Sequence, residues 1–282
     1  MALVRAFVVF LSLFCSSEAF LATAQLGLDS DAALKTRDHA IITKLGLLQS
    51  MAEFFKENPQ YVDAAGLGEF SSILISADNP TDVGKFLSFI TSKMRLQNVI
   101  TEIQSSNAEV NSAPLKHVAA AHFSGEQFKE GSKRLLELKS AIVTTLLKGV
   151  KFEHARQLAG QYLHTLQDFY SHSNWVELGN RVKAYDTLTN GGNSIPPEFI
   201  ADANEATCIP CSLVQAEQNN NCDNNLITQK ITSGYRGEQD ISKPANASKC
   251  IHGGILDSNG DKGKMGGINK DSAAREWSPH YK

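Results

Sequence analysis

The chain has 282 residues, 42% hydrophobic and 20% charged, with 20 Gly and 8 Pro. This composition excludes a collagen, a coiled-coil rod and bulk disorder, and the length suffices for a substantial buried core. With a formal net charge of −3 and a pI near 6.2, overall charge gives no reason to expect nucleic-acid binding.

At the start of the chain, Arg5 precedes the apolar run AFVVFLSLF (6–14), followed by the small residues Cys15, Ser16, Ser17 and Ala19. A basic start, a short apolar segment and small residues read as a secretory signal peptide over 1–24, cut after Ala19 or Ala24. The expected destination is extracellular. The run is too short to span a bilayer as a mature helix, and no later stretch holds eighteen apolar residues in a row.

From Asp31 to about Trp175 the periodicity is helical. Residues 34–57 carry Leu34, Ile41, Ile42, Leu45, Leu48, Met51, Phe54 and Phe55 at three- and four-residue spacing, and Asn58-Pro59 ends the run. Thr81-Asp82 opens a second run, from Val83 to Met94. Ser124-Gly125-Glu126 precedes a third, which includes Phe128, Leu135, Leu138, Ile142 and Leu146. A fourth runs from about Glu153 to Asn174. No comparable stretch alternates with period two, so the expected fold class is all-α, a multi-helix bundle.

After about residue 186 the chain becomes rich in Asn, Gly, Asp, Ser and Lys. Residues 187–282 read as an irregular segment stapled by disulfides, because their apolar content is too low for a long regular core. All four cysteines beyond the signal lie here: Cys208, Cys211, Cys222 and Cys250. An even number in an exported chain implies two bridges, with three connectivities open. The C-x₂-C spacing of Cys208 and Cys211 also suits zinc, but the second pair is too widely spaced for that pattern. Asn246-Ala247-Ser248 is an N-glycosylation sequon. Asp257, Asn259 and Asp261 start like a calcium loop, but Lys262 and Ile268 occupy the positions that need Gly and Glu.

The most informative stretch is HTLQDFYSHSNWVELG (164–179). His164, Asp168 and His172 are spaced i, i+4, i+8, at 0°, about 40° and about 80° around a helix, so they share one face. His154 falls near the same face. Imidazole and carboxylate presented together suit zinc. A buried hydrogen-bonded network and a solvated stripe are the plainer alternatives. His39, in DHAIITKLG, and His122, in AHFSGEQF, taken alone read as ordinary loop or core histidines.

HTLQDFYSHSNWVELG, CIHGGILDSNGDKGKMGGINKDS (250–272) and WSPHYK together resemble the N-terminal domain family of von Willebrand factor A domain-containing protein 7, over nearly all of the mature chain. The helix string is also similar to fungal heterokaryon-incompatibility C proteins. A more distant resemblance is to the zinc-dependent phospholipase C and single-strand nuclease superfamily, which implies a helical bundle around three zinc ions. On that resemblance Asp168 would bridge two metals, His39, His122 and His164 would bind one or the other, and His172 would begin the third site. The pattern departs in three places. Asn111 stands where the superfamily has an Asp, the step from Asp168 to His172 is shorter than in the phospholipases, and the late His-x₃-Glu pair is missing, with Glu177 and His252 as substitutes.

The resulting expectation is a single helical domain over 25–282, without the von Willebrand A domain and its Asp-x-Ser-x-Ser motif. It would be a secreted binding or structural module without complete catalytic machinery. The alternative is a secreted zinc-dependent phosphoesterase. The expected partner is an extracellular protein or a phosphate-ester ligand. Zinc is the expected metal, on His39, His122, His164, Asp168 and His172. Gln161, Glu153 and Asn174 are candidates for orienting the rings.

Overall fold

Asp38 starts the first helix. Its backbone is extended and its carboxylate accepts a hydrogen bond from the Ile41 N–H at 2.8 Å, satisfying one donor that the first turn leaves without a partner. Helix α1 (His39–Glu57) ends at Asn58, whose backbone and side-chain N–H groups both donate to the Phe54 carbonyl. The computed structural model describes residues 38–58, 60, 94–179, 185–189, 195–211, 222, 225–254, 257, 266–271 and 280. The signal segment, the run opened by Thr81-Asp82, Asn259, Asp261 and Lys262 lie outside the described residues.

Three further long helices follow: α2 (Met94–Glu109), α3 (Phe128–Leu147) and α4 (Phe152–His172). Two 3₁₀ turns, Leu115–His117 and Ala119–His122, join α2 to α3, and a short α5 (Tyr185–Thr189) comes after α4. The protein is all-α, as the periodicity predicts. Among the described residues no strand forms and no helix is long and apolar enough to cross a membrane.

Helix α4 is the centre of the fold. It lies against both α2 and α3, and α1 lies chiefly against α2. Leu48, Ile100, Ile103, Leu135, Ile142, Leu163 and Phe169 interlock between them. Burying each such side chain stabilises the fold by about 1.5–3 kcal/mol. From Tyr162 to His172 every residue of α4 is buried. A helix covered on all sides has no solvated stripe, so its polar side chains must find partners inside the protein. Gly160 sets the α2–α4 spacing. A Cβ there would stand 2.5 Å from the Ile103 carbonyl oxygen and 2.7 Å from the Asn107 nitrogen, so only glycine permits this approach.

The described part of the C-terminal segment is irregular and docks on the end of α4. Ser173 bridges Ser233, the Gly234 N–H donates to the His172 carbonyl, and the Asn174 N–H donates to the Thr232 carbonyl. Asn174 finishes this junction with its amide, accepting from the Thr232 N–H and donating to the Lys230 carbonyl. A buried ion pair adds a second attachment: Lys249 Nζ lies 2.9 Å from the Glu126 carboxylate, which also accepts from Thr232 and Tyr235 hydroxyls. The cysteines pair as Cys208–Cys250 and Cys211–Cys222. A small apolar group of Cys208, Cys250, Ile268 and Leu226 is packed around the first bridge.

Candidate metal centre

Five histidines and two aspartates converge at the C-terminal end of α4. The i, i+4, i+8 spacing places His164, Asp168 and His172 on one face, and that face points into the protein. His39, the first residue of α1, arrives from one side. His122, the last residue of the second 3₁₀ turn, arrives from another. It is held there by Phe123, which adopts a left-handed backbone (φ 50°) and drives its ring between Phe128 and Phe169. A non-glycine residue in that conformation is costly and persists because the buried ring fixes it.

The Asp168 carboxylate is the hub. Its Oδ2 lies 2.8 Å from His122 Nδ1 and 3.0 Å from His164 Nε2, and its Oδ1 lies 3.2 Å from His39 Nε2 and 3.7 Å from His172 Nε2. His39 and His164 stack with ring centroids 4.2 Å apart. Asp271 is a second hub. His172 Nε2 is 3.4 Å from one of its oxygens and His252 Nε2 is 3.5 Å from the other. The Ser171 hydroxyl donates to Asp271 at 2.6 Å and fixes the carboxylate. Two three-donor groups result: His39, His164 and Asp168, and His172, His252 and Asp271.

Each histidine uses its other nitrogen in the same way. His39 Nδ1 donates to Gln167 Oε1, His164 Nδ1 to Asn107 Oδ1, His122 Nε2 to the Leu115 carbonyl, His172 Nδ1 to the His122 carbonyl and His252 Nδ1 to the Gly253 carbonyl. All five acceptors are neutral oxygens that can only accept, so the hydrogen sits on the outward nitrogen of every ring. The amide orientations agree, because Asn107 and Gln167 both donate to Thr43 Oγ1. In each neutral ring the inward nitrogen therefore presents a lone pair to a carboxylate oxygen.

The electrostatics follow from this crowding. Burial lowers His164 to about 3, in spite of Asp168, and lowers His252 to about 4, with His172 adding to the fall. Burial opposes charge on His172 as well, but Asp168 and Asp271 outweigh it and raise that ring to about 8. His39 is raised by Asp168 against the same opposition. Despite burial, the surrounding histidines hold both Asp168 and Asp271 below the usual carboxylate range. Asp168, buried, and Asp271, partly covered, require cations, and the imidazolium of His172 faces both.

A divalent cation fits the same place. Asp168 Oδ1 and His252 Nε2 are buried and lack a hydrogen-bond partner, one in each group. Imidazole nitrogen with carboxylate oxygen is the donor chemistry of zinc, and outward N–H groups anchored on oxygen are how metal-binding histidines are held. His39 and Asp271 are the least covered members, at 14% and 16% side-chain exposure, and mark the approach from solvent.

Several expectations are corrected. Asn111 is exposed beyond the end of α2 and does not reach the site; Asn107, one helical turn earlier, does. Glu177 pairs with Lys270 at 3.1 Å instead of substituting in a metal group, whereas His252 joins the second one. Gln161 accepts from Arg134, Glu153 is exposed and Asn174 holds the C-terminal segment, so none of the three orients a ring. His154 is exposed on the first turn of α4.

Residues 81–282 match the model of the VWA7 N-terminal domain. The chain belongs to that family. It is 34% identical over 197 residues to mouse von Willebrand factor A domain-containing protein 7, covering 68% of this chain and 20% of the relative. The human protein of that name is 33% identical over 193 residues, 67% of this chain and 20% of the relative. The chain thus spans about a fifth of the length of these relatives. No solved structure matches it. The matched region contains His122, His164, Asp168, His172, His252 and Asp271, while His39 precedes it.

Proposed function

We propose that this chain is an exported module of the von Willebrand factor A domain-containing protein 7 type built around a zinc centre. One zinc would be held by His39, His164 and Asp168, with His122 completing the ring of donors, and a second by His172, His252 and Asp271. The observation that carries this reading is the shared orientation of five histidines, each anchored by an outward N–H and each aiming its other ring nitrogen at Asp168 or Asp271. Two disulfides and the apolar segment after Arg5 support an oxidising, extracellular setting. The test is metal analysis of the exported chain purified without chelator. Zinc above background in the native protein, lost in Asp168→Asn, supports the reading; native protein that stays metal-free after zinc is added and dialysed away sinks it.

A second reading, a zinc-dependent phosphoesterase, is favoured by the number of donors. Structural zinc sites are closed by four protein ligands, whereas hydrolytic ones keep a position open. Each group here offers three donors within reach of one another, next to the partly exposed His39 and Asp271. Bound zinc supplies an activated water and neutralises phosphoryl charge. This chain's own residues would hold the ring tautomers, through Asn107, Gln167 and three backbone carbonyls, and keep Asp271 fixed through Ser171. Hydrolysis of a chromogenic phosphodiester by zinc-loaded chain, absent in Asp168→Asn, would distinguish an enzyme from a binding module.

A further inference from the structure

Asn246 is exposed in a turn four residues before Cys250, and the rest of its sequon is immobilised. The Ser248 hydroxyl donates to the Cys208 carbonyl at 2.6 Å. Its backbone carbonyl accepts from the N–H groups of both Thr207 and Cys208. Ala247 is buried, and Lys249 is locked in its ion pair with Glu126. The Cys250 N–H donates to the Thr207 hydroxyl, and Cys250 is bonded to Cys208. In the closed form the asparagine is on the surface while the serine that completes the signal is bound to the segment around Cys208.

N-glycosylation reads Asn-x-Ser as a unit, requiring a segment free to leave the fold and a free serine hydroxyl as well as the amide. We propose that Asn246 is glycosylated only before the Cys208–Cys250 bridge closes, so that glycan transfer and bridge formation compete for the same stretch of chain. In the transfer, Asn246 Nδ2 bonds to the anomeric carbon of a lipid-linked oligosaccharide. The bond from that carbon to the lipid diphosphate breaks, the diphosphate leaves with the electron pair, and Nδ2 loses a proton to base. In bridge closure, Cys208 and Cys250 lose two protons and two electrons by exchange with a disulfide donor of the exporting compartment. Once Ser248 is held against Cys208, the segment can no longer bend into the transferring enzyme. The exposed Asn246 leaves room for a glycan attached beforehand.

The inference rests on the export reading, so the experiment separates the two. The full chain, extended by a C-terminal reporter sequon, is expressed in secretory cells under tunicamycin and purified oxidised and unglycosylated. It is then offered to oligosaccharyltransferase and lipid-linked oligosaccharide, with or without prior reduction and alkylation. The reporter should accept a glycan in both forms, while Asn246 should accept one only in the reduced form. Cys208→Ser/Cys250→Ser should accept at Asn246 without reduction, and Asn246→Gln should never show the second mobility step. Ser248→Thr, which keeps a hydroxyl at the same place, should remain closed when oxidised. Equal transfer to Asn246 in oxidised and reduced wild-type chain, or none in either while the reporter is modified, overturns the proposal. Export is tested separately by untreated cells: a reporter left unmodified there removes the export reading, whatever the cell-free result.

Discussion

The helical half and the C-terminal segment are held together by different forces, and both contribute to the metal centre. In the helical half an apolar core of side chains from α1 to α4 fixes the geometry, and His39, His122, His164 and Asp168 all sit on it. Among the described residues the C-terminal segment has a small apolar group of its own, Cys208, Cys250 and Ile268 with Leu226 packed against it, and is held by disulfides, the Lys249–Glu126 pair and backbone bonds to α4. That segment carries His252 and Asp271. All donors of the first group thus sit on packed helices, whereas the second joins His172 of α4 to two residues of the stapled segment.

The strongest test removes what the two halves share. Asp168→Asn should abolish zinc binding at the first group and weaken the second. It should also destabilise the metal-free chain by about 3–5 kcal/mol, because it leaves buried imidazolium without its partner. Zinc titration and thermal unfolding would read both effects.

Cutting the staple separates the halves. Cys208→Ser/Cys250→Ser should cost about 2–4 kcal/mol, leave helix content unchanged in circular dichroism, and lower zinc stoichiometry to the first group alone. Full loss of zinc from this variant would show that the groups do not form separately. The reverse test acts on the helical side. Gly160→Ala forces α2 away from α4 and should cost about 1–3 kcal/mol through overpacking. It should weaken zinc at the first group, because Asn107 moves off His164.

The smallest effect concerns pH in the metal-free chain. His172, raised to about 8, contributes stability that is complete below its ordinary value of 6.5 and is lost as pH rises through about 8. His164 and His252, lowered to about 3 and about 4, act oppositely. Below pH 6.5 the unfolded chain takes up protons that these buried rings refuse, so stability falls as pH falls. Asp168 and Asp271, both depressed, add a further loss at more acidic pH. Melting temperature should therefore peak near pH 6.5 without zinc. A melting temperature flat from pH 5 to 8.5 would contradict these assignments.

The sequence shows the helical half more clearly than the segment for the same physical reason. Periodicity reports an element that buries one face against a core, so α1, α3 and α4 could be read within a few residues, and His164, Asp168 and His172 could be placed on one face. Helix α2 is harder to see, because Gln97, Asn98, Thr101, Ser105 and Ser106 blur its apolar stripe. Resemblance points to Asn111, whereas Asn107 is the asparagine that reaches His164, across a turn whose shape periodicity does not reveal. His39 and His122 have no helical relation to α4 and were suggested only by family resemblance. Asp271 was missed entirely. Its partner group is created by docking, and the available hint was glycine: at Gly267 a Cβ would fall 1.9 Å from the His252 carbonyl oxygen, so the GG of GGINKDS marks where two irregular segments touch.

His122 takes part in both halves with different atoms. Its ring faces Asp168, and its backbone carbonyl accepts from His172, whose far nitrogen faces Asp271. The short turn that carries it is therefore a crank. A shift of that turn would move a donor of one group and the anchor of the other in a single stroke, so one residue links two groups that different forces built.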